Sequence, residues 1–366
     1  MTLPKQRLPL RPKPMASPKI LRLALDALHL SGLPNLVRPQ LRGAGVIFCL
    51  HHVLPGGGRQ TGFAPNSKLE CEPAFLEGII KLVRERGYQT LSLGEAVERL
   101  TARQRYESPF AVFTLDDGYK DNAEFAQPIF QASKCPYTIF VAPRIADGTA
   151  EIWWRNLEHI IASNSRLRCV IAGQSFDLSC HTEAEKWQTW KTLYPLFENL
   201  DQFEQRTEIR KMATHYGEDV DTYCRSVAMN WNELNNIARD PLCELGAHTV
   251  NHHSVGRMSA VDALTQLSAS RQLMAKHLGK LPCFNAYPYG DRANATARDF
   301  KLAAKAGYQA SLTTRKGVVF AEHASHIQAL PRIMVSGRYQ ELHYIDTLIS
   351  GLPTALANRF RHLNIS

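Results

Sequence analysis

The sequence predicts an α/β fold, a parallel sheet or barrel carrying a mostly helical insertion. Three observations predict it. Short apolar runs that read as buried strands alternate with amphipathic helices over most of the chain. Polar, chemistry-bearing residues gather where those runs stop, which is where such folds keep their sites. Between about 147 and 240 the rhythm breaks and helical spacing takes over.

Composition sets the bounds. The chain has 366 residues, 44% hydrophobic and 21% charged, enough for a large core without a disulfide or structural metal. Its eight cysteines include no Cys-x-x-Cys pair, so reduced, mostly buried thiols are expected. The net charge of +9 is uneven: residues 1–43 hold eight Lys/Arg against one acid, Asp26, or 8 − 1 = +7. The rest is near neutral, which speaks against nucleic-acid binding; the basic tail is read as solvated, with weak contact to an anionic membrane surface as the alternative. No apolar run reaches the roughly 18 residues of a membrane span. Arg22, Asp26 and His29 interrupt residues 20–33, so no signal peptide is read, and a cytoplasmic or membrane-peripheral protein is expected. Residues 1–43 are read as tail plus amphipathic helix, 44–366 as the folded body, and 147–240 as the insertion.

Taken in order, residues 1–18 are Pro- and Lys/Arg-rich and are expected to be unstructured. A helix over 19–31 and a turn at 31–34 precede a buried strand, 45–50, that ends at His51-His52. Gly56-Gly57-Gly58 reads as a connector, because it lacks the Gly-Lys-Ser/Thr of a phosphate loop. Phe75, Ile79, Ile80 and Val83 predict a helix over 72–86, and Ser92 with Glu95 a capping box for the next. Strand 109–115, helix 121–133 and strand 137–141 come next. The insertion offers helices at 153–161, 183–199 and 202–216 and a hairpin near 167–178. The alternation then resumes: strand 243–247, helix 259–278, strand 283–287, helix 294–306, strand 308–313, strand 327–335 and a last helix at 338–349.

The chemistry centres on Asp116-Asp117-Gly118. Neighbours on an extended strand point opposite ways, so two carboxylates share a site only where the strand gives out, and Gly118 supplies the turn. One acid can then bind a cation while the other acts as a base. For the tripeptide alone a solvated turn is the commoner reading. Downstream, His248 and His252 are four apart, so one helical turn would put both rings on one side, spaced for a divalent metal. Two His and one Asp leave positions open for water and substrate. Tyr287-Pro288-Tyr289-Gly290 closes another strand, and Arg332 lies among apolar residues, where a buried guanidinium wants a carboxylate. Trp153, Trp154, Trp187, Trp190 and Trp231 are expected in the core rather than stacked on a ligand.

These motifs together resemble the polysaccharide deacetylase family, the NodB-homology carbohydrate esterases. Thr114-Leu115-Asp116-Asp117-Gly118 is similar to the family's Thr-Phe-Asp-Asp-Gly, and His248-Thr249-Val250-Asn251-His252 to its His-(Ser/Thr)-x-x-His. Tyr287-Pro288-Tyr289-Gly290 resembles its third motif, and Leu50-His51-His52-Val53 the Tyr-His-x-Val of its first strand. The resemblance spans about 45–335 and implies a deformed (β/α)7 barrel of NodB type. It implies Asp117, His248 and His252 as ligands of Zn²⁺ or a similar divalent ion. It makes Asp116 the base that activates a water on that ion, and the Tyr289 backbone N–H an oxyanion donor. The implied substrate is an N-acetylated glycan, a polysaccharide or chitooligosaccharide. The alternatives are a non-catalytic glycan-binding scaffold, or an amidase on a small or lipid-linked N-acyl sugar. Two departures stand out. Where many members carry an arginine that orients the catalytic aspartate, this chain has Ala286, so Arg332 is expected to supply that guanidinium. No Leu-x-His supplies the general acid, which leaves His51, His323 and His326 as candidates.

Overall fold

The computed structural model describes residues 18–58, 62–102 and 107–365; of the stretch expected to be unstructured, residues 1–17 lie outside them. Seven parallel strands close a barrel: β1 (Gly45–Leu50), β2 (Phe110–Asp116), β3 (Tyr137–Val141), β4 (Cys243–Ala247), β5 (Phe284–Ala286), β6 (Ala310–Lys316) and β7 (Leu330–Met334). Each pairs with its successor, and β7 returns to β1 through Phe48↔Ile333 and Cys49↔Met334. The seams differ in strength. β1 and β2 share six register pairs, whereas β4 and β5 meet at Asn285↔Ala247 alone, and β6 slips against β7 between Leu312 and Lys316. That unevenness deforms the barrel. A two-residue strand, Gln89–Thr90, pairs with the start of β2 before β3 takes over that edge.

The barrel strands are continuous apolar runs because both their faces are covered. Val46, Phe48 and Leu50, with Ala111, Phe113 and Leu115, pack outward in the cluster shared with helices Pro73–Glu85 and Ala260–Leu278. Ile47, Val112, Phe140, Phe284, Leu312 and Leu330 pack in a separate cluster, plugged at one end by helix Leu93–Thr101. Alternation along the strands carries the same facing forward: Cys49, Thr114, Asp116 and Arg332 continue the inward rows. Asp116 and Arg332 are drawn into one interior layer by the same period that buries Val112 and Leu330.

The capping box at Ser92–Glu95 forms. The insertion is helical as expected, with an antiparallel hairpin of Arg166–Ile171 and Gln174–Ser179 and helices Trp153–Ser163, Glu183–Asn199 and Gln202–His215 among its elements. Its own core, including Leu157, Ile160, Leu193, Phe197, Ile209 and Met212, also takes in Tyr119, Ala142 and Ile145 from the barrel's upper loops. Trp153 and Trp154 are buried there, and Trp231 stacks on His277. All eight cysteines are free.

Near the N-terminus the turn expected at 31–34 continues into an unforeseen helix, Leu33–Leu41. Its prolines disguise it. Pro34 occupies the first turn, where a missing N–H is no loss, and Pro39 lies inside. Arg38 of this helix and Arg86, the C-cap of helix Pro73–Glu85, both bond the buried Asp346 of helix Leu342–Ile349, at 2.7 Å each. Burial alone would raise the Asp346 carboxyl; Arg86 and Arg38 outweigh it and hold it below the ordinary carboxylate range. Asp346→Asn should therefore cost about 3 kcal/mol in urea unfolding. Because the folded carboxyl titrates low, that stability is present above about pH 4 and is lost as the pH falls further, which an unfolding series across acid pH will follow.

Candidate functional site

At the C-terminal end of β2 the chain leaves the strand through Asp117, at φ 74°, and Gly118, at φ 69°. The left-handed turn swings the Asp117 side chain to the same mouth as Asp116, which still points into the barrel. Both carboxylates are almost wholly buried. They are neutralised by different means.

Asp116 is fully satisfied. Arg332 clamps it with two parallel bonds of 2.8 Å, and also donates to the Thr114 hydroxyl and the Thr313 carbonyl. The Cys49 thiol lies 3.5 Å from its second oxygen. Burial pushes the Asp116 carboxyl up, but Arg332 and the nearby histidines bring it down to about 2. It is a carboxylate at any neutral pH.

Asp117 is not satisfied. Its Oδ1 is buried and accepts no hydrogen bond, yet it lies 3.2 Å from His252 Nε2 and 3.6 Å from His248 Nε2. The His248 ring explains the arrangement. Its Nδ1 is 2.6 Å from the Ala286 carbonyl, which can only accept, so Nδ1 carries the proton. Burial lowers the ring to about 4, so it is neutral and its Nε2 presents a lone pair. A lone pair and a carboxylate oxygen facing each other in a dry site repel unless a cation lies between them. The three donor atoms lie within 4.8 Å of one another. One carboxylate, two imidazoles and an orphaned acceptor fit a divalent metal of the zinc type. A second grouping, Cys49, His51 and Asp116, is the poorer cation site, because Asp116 is already paired with Arg332 and burial keeps the Cys49 thiol protonated.

The His pair is not brought together by a helical turn, as the spacing suggested. Residues 248–254 form an irregular loop with Thr249 at φ 57° and His252 at φ 55°. The Thr249 hydroxyl bonds back to residue 253, and the Gln266 side chain accepts from the N–H groups of Val250 and Asn251. These local bonds replace the helical ones. The insertion braces the same loop: Gln202 makes two bonds to the Ser254 backbone, Arg206 donates to the His252 carbonyl, and the Trp154 ring lies 4.9 Å from that of His252. None of these supports has a sequence signature beyond the Trp153-Trp154 pair itself.

Tyr289 sits beside His252, ring centroids 5.2 Å apart, at φ 62°. Trp153 Nε1 bonds its hydroxyl and the Thr314 hydroxyl bonds its carbonyl, while its backbone N–H meets no protein acceptor among the described residues. Of the three candidate general acids, only His51 is here. It is half-buried beside Asp116, with its Nδ1 unsatisfied. His323 and His326 lie on the turn Ala321–Ala329 that precedes β7, at the opposite end, where Val319 bridges to Gly45 at the start of β1. They are excluded from the site.

Set beside known proteins, the sequence profile of the polysaccharide deacetylase family matches residues 213–311. No curated protein matches the chain. Among solved structures, the Streptococcus pyogenes deacetylase PplD in complex with acetate superposes with a TM-score of 0.54 at 15% identity, over 83% of this chain and 97% of that one. IcaB from Ammonifex degensii gives 0.51 at 16% identity, over 84% and 97%. The barrel thus shares its fold with those structures. Arg332→Met should leave Asp116 buried without its counter-charge and destabilise the protein by about 3–5 kcal/mol in denaturant unfolding. Arg332→Lys, a point charge without the fork, should recover part of that loss.

Proposed function

We propose that this chain, a polysaccharide-deacetylase-type hydrolase by its family match and its barrel, holds one divalent cation on Asp117, His248 and His252 and removes N-acetyl groups from an amino-sugar glycan. The observation that carries the reading is the buried Asp117 oxygen, which lacks any donor and faces two imidazole nitrogens. When bound, such a cation lowers the pKa of water and polarises an amide carbonyl.

The protein's own groups divide the remaining work. Asp116, ionised and held rigid by Arg332, takes the proton from the attacking water. The Tyr289 N–H, aimed by the left-handed turn, stabilises the negative charge that develops on the carbonyl oxygen. His51, on the far side of Asp116 from the ligand loop in sequence but at the same mouth, is kept neutral by burial; the proton it passes to the departing amine as the C–N bond breaks is the one that Asp116 took from the water. The products are acetate, the molecule bound in the PplD structure, and a free amine on the sugar. Keeping all four of Asp116, Asp117, His248 and His252 speaks against a scaffold with a dead site.

Acetate release from N-acetylglucosamine oligomers tests the reading. Chelation should abolish it and Zn²⁺ or Co²⁺ restore it; release untouched by exhaustive chelation would refute the metal assignment. Asp116→Asn and His51→Ala should each lower kcat by about 10²–10⁴-fold with little change in KM. Asp117→Asn should instead weaken Co²⁺ uptake, read from its visible absorption without any substrate.

A further inference from the structure

Helix Pro18–Leu30 is amphipathic with its apolar side turned the wrong way. Leu25 is its one buried residue among those described, and it packs toward helix Leu342–Ile349. At 100° per residue, Leu23, Ala27 and Leu30 share a sector of roughly 60° on the side opposite Leu25. Leu23 is 68% exposed and Leu30 84%. The next helix, Leu33–Leu41, extends the surface with Leu36, 73% exposed. Isolated exposed leucines need no account, but a stripe on one sector does.

Charge says what covers it. Lys5, Arg7, Arg11, Lys13, Lys19 and Arg22 precede Asp26, the first acid of the chain. Lys19 flanks the stripe and is exposed. An exposed apolar sector bordered by acid-free basic sequence matches an anionic lipid surface, in which the apolar side chains enter the headgroup boundary and the cations meet the phosphates. A second copy of the chain would bring two such sets of like charge together. Among the described residues no helix is long and apolar enough to cross a membrane, so the element would lie on the surface.

The position of the helix gives this a use. Arg22 donates to the Arg338 carbonyl at 2.8 Å, in the segment that leaves the C-terminal end of β7. That segment bonds Lys68 through Gly337 and Gly57 through Gln340, loops over the same end of the barrel as Asp116 and Asp117. We infer that the N-terminal helices dock the protein on an anionic membrane and hold the barrel mouth at that surface, where a glycan attached to or emerging from the bilayer would be within reach.

Vesicle sedimentation of the full chain tests this without reference to deacetylation, so the docking and the activity stand or fall separately. Partition onto phosphatidylglycerol-containing vesicles should exceed that onto pure phosphatidylcholine by about 10-fold or more and weaken with added salt. The double variant Leu23→Asp/Leu30→Asp should lose it, with an unchanged melting temperature and unchanged acetate release from soluble oligomers. Replacing Lys5, Arg7, Arg11 and Lys13 by Gln should weaken it through the electrostatic half alone. No partition by the wild type, or equal partition by the Asp variant, would overturn the proposal. So would a dimer in light scattering that the same variant dissolves, which would make the stripe a contact between copies.

Discussion

Two adjacent carboxylates buried at the mouth of an apolar barrel are a constraint that the rest of the structure has to answer. Left alone, each would take up a proton rather than remain charged in so dry a place. The fold answers differently for each. Asp116 stays on the inward row of β2 and receives a guanidinium from β7 on the inward row opposite. Asp117 is turned out of the strand and faces two imidazole nitrogens, an arrangement that suits a cation between them. On the proposed reading, the division between a base and a ligand follows from one left-handed residue.

The insertion belongs to this arrangement more closely than its sequence suggests. Its aromatic and polar residues do not form a separate body beside the barrel; Gln202, Arg206, Trp153 and Trp154 reach into the loops that carry His252 and Tyr289. Those loops hold backbone in conformations that non-glycine residues adopt reluctantly, at Thr249, His252 and Tyr289. Such conformations persist only when surrounding contacts over-determine them, and the insertion supplies many of those contacts.

Much of this was legible in the residues. Continuous apolar runs marked β1, β2 and β3, because a strand buried on both faces needs no polar alternation. The break in rhythm marked the insertion, and the isolated polar character of Arg332 in an apolar run announced a buried partner. What escaped was long-range or local in ways that period cannot record. The helix at Leu33–Leu41 was hidden by two prolines that its geometry tolerates. The shape of the His248–His252 loop depended on side-chain bonds from Thr249 and Gln266 that displaced the helical turn. That His51 lies beside Asp116, while His323 and His326 lie at the other end of the barrel, is a three-dimensional fact that spacing does not record.

The clamp on Asp116 joins residues 216 positions apart, and its arginine comes from the last strand to be made. A ribosome therefore releases both aspartates long before their counter-charge exists. Until β7 arrives to seal the open edge of β1, the half-built barrel has reason to keep that end wet, and local helices can settle while the centre cannot. Assembly of the buried mouth is thereby tied to completion of the chain, because a chain that stops short of β7 leaves Asp116 without its guanidinium.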